Sequence, residues 1–238
     1  MGVNPQDTEN HTRRLIETIP VMIKEHASLG TLILFTSKSQ MENVMQRLPF
    51  DIKSKCKVQY TLPNNILIAQ HKNDVDSGVP SILVGTQSFS EGLDLPGSWC
   101  SLVICTKLPF SVPDNPIDKT LTAWLESQGR NVFKEVAVPE AAERLIQQSG
   151  RLLRREEDTG MIIMLDNRII SKWYAYGRDL VESLPPFKRQ KMDLTKTKYE
   201  YTNNINIPKK ESTNVQSNVE IKIPEIYDEQ NEFKDFIF

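Results

Sequence analysis

Gln147, Gly150, Arg151 and Arg154 recur at i, i+3, i+4 and i+7, the spacing that puts side chains on one face of a helix. That face carries a small residue flanked by one amide and two guanidiniums. Glycine lets another surface approach the helix backbone. Two planar guanidinium forks suit the oxygens of a phosphate chain. Leu145, Ile146, Leu152 and Leu153 fall on the opposite, apolar face. A solvated face of an ordinary amphipathic helix carries the same pattern, because surface arginines are common. The run therefore gains weight only from a second element.

That element follows Ser81-Ile82-Leu83-Val84, a short apolar run of buried-strand type. The next ten residues, Gly85-Thr86-Gln87-Ser88-Phe89-Ser90-Glu91-Gly92-Leu93-Asp94, hold two glycines, several hydroxyls and two carboxylates. Loops at the carboxyl ends of parallel strands are where α/β proteins bind ligands. The glycines would free backbone N–H groups for an anion, and Glu91 and Asp94 could take a ribose hydroxyl or a metal-bound water. Read alone, the segment is equally a turn.

Taken together, Gln147-x-x-Gly150-Arg151-x-x-Arg154 resembles motif VI of superfamily-two helicases, and 85–94 resembles motif V of the branch containing XPD and DinG. Leu32-Ile33-Leu34-Phe35-Thr36-Ser37 is similar to motif IV of that branch. Lys107-Leu108-Pro109-Phe110 with the residues up to Pro116, Pro139-Glu140-Ala141-Ala142, and Asp166-Asn167-Arg168 are similar to DinG proteins in particular. The resemblance spans roughly residues 10–187 and keeps the order of its motifs.

The resemblance implies a role for each position. Arg154 and Arg151 would reach the γ-phosphate of ATP across the cleft between two RecA-like domains. Such arginine fingers are worth about 10³–10⁵ in rate. Gln147 would sense the nucleotide or bridge to the partner domain, and Gly150 would permit close packing there. Glu91, Gly92 and Asp94 would contact the ribose or couple nucleotide to nucleic acid. Thr36, Ser37 and Thr86 sit where the family grips the backbone of single-stranded DNA, a contact that reads no sequence. For Thr36 and Ser37 a plain helix cap is an equal reading.

No Gly-x-x-x-x-Gly-Lys-Ser/Thr run occurs, nor a carboxylate pair after a strand to hold magnesium. ATP hydrolysis by this chemistry needs both. The chain therefore reads as the second RecA-like domain of a two-domain motor, with ATP and Mg²⁺ held mainly by the first domain of the same protein. Three parent functions stay open: a DNA helicase or translocase, the helicase-like part of a DinG-type 3′–5′ exonuclease, and a non-catalytic RecA-like binding module.

Composition agrees with a globular protein: 238 residues, 39% hydrophobic, 25% charged, net charge −2. The apolar runs fall short of the roughly 20 residues that span a bilayer, and the start lacks a secretory pattern. Cys56, Cys100 and Cys105 have no paired spacing and read as reduced thiols of a cytoplasmic protein. The three histidines carry no ligand or triad spacing. Trp99, Trp124 and Trp173 read as core or interface. Lys107 could meet a phosphate, whereas Leu108, Pro109 and Phe110 read as structural. Asp166 and Arg168 read as a local pair at a strand end.

The elements that must position these residues alternate as in a doubly wound α/β domain. Helices are expected over 8–28, kinked at Pro20 and capped by Gly30, and over 38–48, 117–128, 139–155 and 168–184. Strands are expected over 31–35, 58–62, 66–69, 81–84, 101–105 and 161–165. Residues 1–187 form this RecA-like domain, a parallel sheet with helices on both faces. Residues 188–238 form a polar tail. The stretch from Phe187 to Lys210 that opens it has seven Lys/Arg against two acids, and 211–238 has seven acids against two lysines. The tail's middle reads as disordered. Its acidic, aromatic end at 225–238 is a candidate docking peptide for a replication or repair protein, or a solvated end.

Overall fold

A computed structural model of the chain describes residues 7–27, 29–111, 115–152, 158–171, 174–193 and 234–237. Five parallel strands form its centre: β1 (Gly30–Phe35), β2 (Cys56–Val58), β3 (Ser81–Thr86), β4 (Leu102–Cys105) and β5 (Met161–Met164). Two short strands, β6 (Gln190–Asp193) and β7 (Lys234–Ile237), continue the sheet, in the order β2-β3-β1-β4-β5-β7-β6. β7 runs antiparallel to β5, with Ile163 opposite Ile237 and Met164 opposite Phe236. The described helices are α1 (Thr8–His26), α2 (Lys38–Arg47), α3 (Phe50–Lys53), α4 (Asn64–Asp76), α5 (Gln87–Glu91), α6 (Pro116–Ser127), α7 (Val138–Ser149) and α8 (Tyr176–Ser183).

The central strands are almost wholly apolar because both of their faces are covered. Leu32, in register with Leu83 and Val103, faces Leu67 of α4, Leu145 of α7 and Leu180 of α8 in one cluster. Ile33, in register with Val84 and Ile104, faces Leu15 and Ile19 of α1 and Met41 and Val44 of α2 in the other. Alternation along each strand thus feeds two layers of helices, the RecA-like arrangement expected from the motifs.

Five expectations need correction. The strand expected over 58–62 lies instead at Cys56–Val58, and residues 59–62 turn away from it. Gly30 does not cap α1, since Ala27 does. Gly30 instead opens β1, where a Cβ would stand 2.1 Å from the Trp99 carbonyl oxygen. Residues 66–69 are helix, not strand: Leu67, His71 and Val75 are the buried side of α4, and the polar His71 hides that helical spacing. α7 stops at Ser149, not Arg155. The amides of Arg151 and Leu152 bond three residues back, to Gln148 and Ser149, in a tightened turn. The helix expected over 168–184 divides into a short 3₁₀ turn at Asn167–Ile169 and α8. Leu153, Arg154, Trp173 and the tail from 194 to 233 lie outside the described residues. Among those described, no helix is long and apolar enough to cross a membrane.

Candidate functional site

Because the five strands are parallel, the segments that follow them gather along one edge of the sheet. That edge collects Thr36 and Ser37 after β1, Gln59 and Tyr60 after β2, Thr86 at the end of β3, Lys107 after β4 and Asp166 after β5. Thr36 is exposed. Ser37 caps α2, its hydroxyl accepting from the Gln40 amide at 3.3 Å, so capping is its visible task. Thr86 is pinned by Gln59, whose Oε1 accepts from both the Thr86 amide at 2.8 Å and its hydroxyl at 3.0 Å. Gly85 serves packing: a Cβ there would meet the Phe89 ring at 2.4 Å.

The two sequence motifs meet directly. Arg151 Nη1 donates to the Leu93 carbonyl at 2.9 Å and Nη2 to the Glu91 carbonyl at 3.3 Å. The guanidinium thus ties the end of α7 to the loop after α5. Glu91, Gly92, Asp94 and Gln147 are exposed. A Cβ at Gly92 would meet nothing within 4 Å, and one at Gly150 only two carbonyls of its own helix at 3.5 Å. Nothing described within this chain demands glycine at either position. Among the described residues, these groups make an open wall rather than a closed pocket.

Sequence reasoning missed Gln148. It is buried beneath this wall, where its Nε2 donates to Gln87 Oε1 and its Oε1 accepts from Cys105 Sγ at 3.4 Å. Motif VI, motif V and the sheet are joined through this one amide. The signal was a polar residue at helical spacing from Leu145 and Leu152. Ile146, expected on the apolar face, is 39% exposed.

Asp166 is fully buried and bonds Arg168 Nε at 2.9 Å and Nη2 at 2.6 Å, as well as the Leu108 amide. Leu108 is buried, and Phe110 packs against Phe133 and Tyr176, so this loop is structural as read. Burial, and then the nearby Arg168 cation, hold the Lys107 ammonium below its ordinary pKa. Trp99 packs against the core and donates to Asp76, whereas Trp124 is more than half exposed.

Beside this pair, His11 is locked in neutral form. Gln40 donates to its Nδ1 at 3.1 Å, and its Nε2 faces the Leu165 carbonyl at 3.3 Å. Burial, helped by the Lys107 charge, lowers its pKa from 6.5 to about 4. Above pH 6.5 the ring is neutral whether folded or unfolded. As pH falls from 6.5 towards 4 only the unfolded chain takes the proton, so stability drops, by up to about 3 kcal/mol at full titration. Urea unfolding across that range should show a steeper loss for the native chain than for a His11→Gln variant. Parallel pH profiles would mean that His11 is hydrated and titrates normally.

The architecture and the paired motifs find their counterpart in known proteins. The helicase C-terminal domain family matches residues 21–187, and the chain belongs to that family. It is 43% identical over 192 residues to the ATP-dependent DNA helicase DinG of Photobacterium profundum, covering 79% of this chain and 27% of that protein. It is 34% identical over 189 residues to the DinG helicase of Escherichia coli K12, covering 79% and 26%. The chain therefore spans about a quarter of the length of these relatives. Among solved structures an XPD helicase superposes with a TM-score of 0.54 at 17% identity, over 73% of this chain and 31% of that one. An XPD apo structure gives 0.51 at 19%, over 71% and 33%. These two likenesses carry the fold alone.

Proposed function

We propose that the chain is the second motor domain of an ATP-dependent DNA helicase or translocase of DinG type, acting in the cytoplasm. The observation that carries this reading is the Arg151 clamp between motifs V and VI beside exposed Glu91, Gly92, Asp94 and Gln147. An open wall of this kind suits a nucleotide sandwiched against a partner surface. Among the described residues, the open space over Gly92 supports that fit. Bound ATP with Mg²⁺ would bring the phosphoanhydride chemistry. Gln147, Gly150, Glu91, Gly92 and Asp94 would orient it from this side, with Arg151 and Arg154 supplying positive charge where the transferred phosphoryl group develops negative charge. Thr36, Ser37 and Thr86 would hold the backbone of single-stranded DNA on the neighbouring strand ends. The first RecA-like domain of the same protein is the required partner.

The 238-residue chain alone should not hydrolyse ATP, because its sequence lacks a phosphate cradle and a magnesium carboxylate pair. Phosphate release should stay at the level of a blank, with or without single-stranded DNA. Turnover stimulated by DNA in a clean preparation would overturn the half-motor reading.

A further inference from the structure

Tyr60 is the one described non-glycine residue with a positive φ, +73°, a backbone region that bulky L residues rarely enter. Such strain persists only where the surroundings enforce it, and it concentrates at functional sites. The surroundings here are specific. Gln59, the residue before, is buried and holds Thr86. Thr61, the residue after, closes the turn onto the Val58 carbonyl at 2.6 Å. Tyr60 between them is turned outward, 54% exposed, with its hydroxyl 3.4 Å from Thr86 Oγ1. Lys38 Nζ lies 4.4 Å from the ring centroid.

The sheet order β2-β3-β1 explains how these residues meet. Tyr60 starts at the end of β2, reaches past the end of β3 at Thr86, and meets Lys38 at the start of the helix that follows β1. One edge therefore presents an aromatic ring, an ammonium, and the hydroxyls of Thr86 and Ser88, which lie 3.2 Å apart. Cations and hydroxyls serve phosphates, and an exposed ring serves bases, the combination by which single strands are held without sequence preference. A motor domain gripping only the backbone has no need of a strained aromatic at this place.

We propose that Tyr60 stacks on a base of the single-stranded DNA, with Lys38 on an adjacent phosphate. This rests on the DNA-binding reading above and adds a base contact to it. The test compares the 238-residue chain on an oligothymidylate and on an abasic strand of equal length and charge, by fluorescence anisotropy at low salt. The native chain should bind the base-bearing strand roughly tenfold tighter, the size of one aromatic–base stack. Tyr60→Phe should keep that preference. Tyr60→Ala and Tyr60→Gly should erase it, leaving affinity for the abasic strand unchanged, and Tyr60→Gly should not lower the thermal midpoint. Glycine takes this φ without strain, which guards against a folding artefact. Lys38→Ala should weaken both strands alike. Binding of both strands without a base preference, or a preference that survives Tyr60→Ala, would overturn the stacking proposal alone. Failure to bind either strand would overturn the DNA-binding reading with it.

Discussion

Arg154→Ala in the full-length protein should cut ATP turnover by about 10³-fold or more while nucleotide affinity stays within a few-fold. A guanidinium aimed at charge that develops during transfer lowers the barrier without adding much to ground-state binding. The measurement is phosphate release under saturating ATP, beside a binding titration with a fluorescent nucleotide. Arg151→Ala should lower turnover by a second route. Its two Nη groups hold the Leu93 and Glu91 carbonyls, so its loss also frees the motif V loop from α7. Stimulation by DNA should then weaken along with the basal rate. Parental turnover in Arg154→Ala would remove the motif VI assignment altogether.

Four of the five central strands were plain in the sequence, because a doubly covered parallel sheet writes itself as continuous apolar runs such as Leu32–Phe35 and Ile82–Val84. What misled was polarity inside buried faces. His71 sits in α4 between Leu67 and Val75, bonded to Ser81 and the Trp99 carbonyl. With a polar residue on its inner side, α4 looked like a short strand followed by a loop. Gln148 was hidden the same way on α7, since its satisfaction comes from Cys105 and Gln87, distant in sequence. Local period alone could not stop α7 at Ser149, and the shared face drawn through Arg151 and Arg154 assumed that the helix continued.

The motifs fared differently from the side chains around them. Motifs V and VI are brought into contact, and the Arg151 guanidinium reaches the carbonyls of Glu91 and Leu93. Backbone acceptors leave no trace in residue type. Tyr60 was passed over for the related reason that a positive φ has no signature unless the residue is glycine or asparagine. Its pairing with Lys38 and Thr86 exists only once β2, β3 and β1 stand side by side.

Asp166→Ala should be the most damaging single substitution outside the wall formed by motifs V and VI. The Asp166 carboxylate has no solvent exposure and serves the Leu108 amide at 2.9 Å, the Arg168 amide at 3.1 Å, and two nitrogens of the Arg168 guanidinium. The Arg168 side chain is only 13% exposed, so removing its partner leaves a cation desolvated and unpaired. That situation costs about 3–5 kcal/mol, and in a domain of this size it should lower the thermal midpoint by roughly 10 °C. Lys107 worsens it, because its charge and that of Arg168 then face each other without the intervening carboxylate. Asp166→Asn, which keeps an acceptor but not the charge, should fall between. The double variant Asp166→Ala, Arg168→Met should recover part of the loss, since an apolar pair leaves no buried charge behind. Calorimetry of the native chain, Asp166→Ala, Arg168→Met and the double variant gives the coupling energy directly. If Asp166→Ala lost less than about 1 kcal/mol, water must reach Arg168 as readily as it reaches a surface ion pair. The strand-end pair would then be a feature of geometry and not of stability.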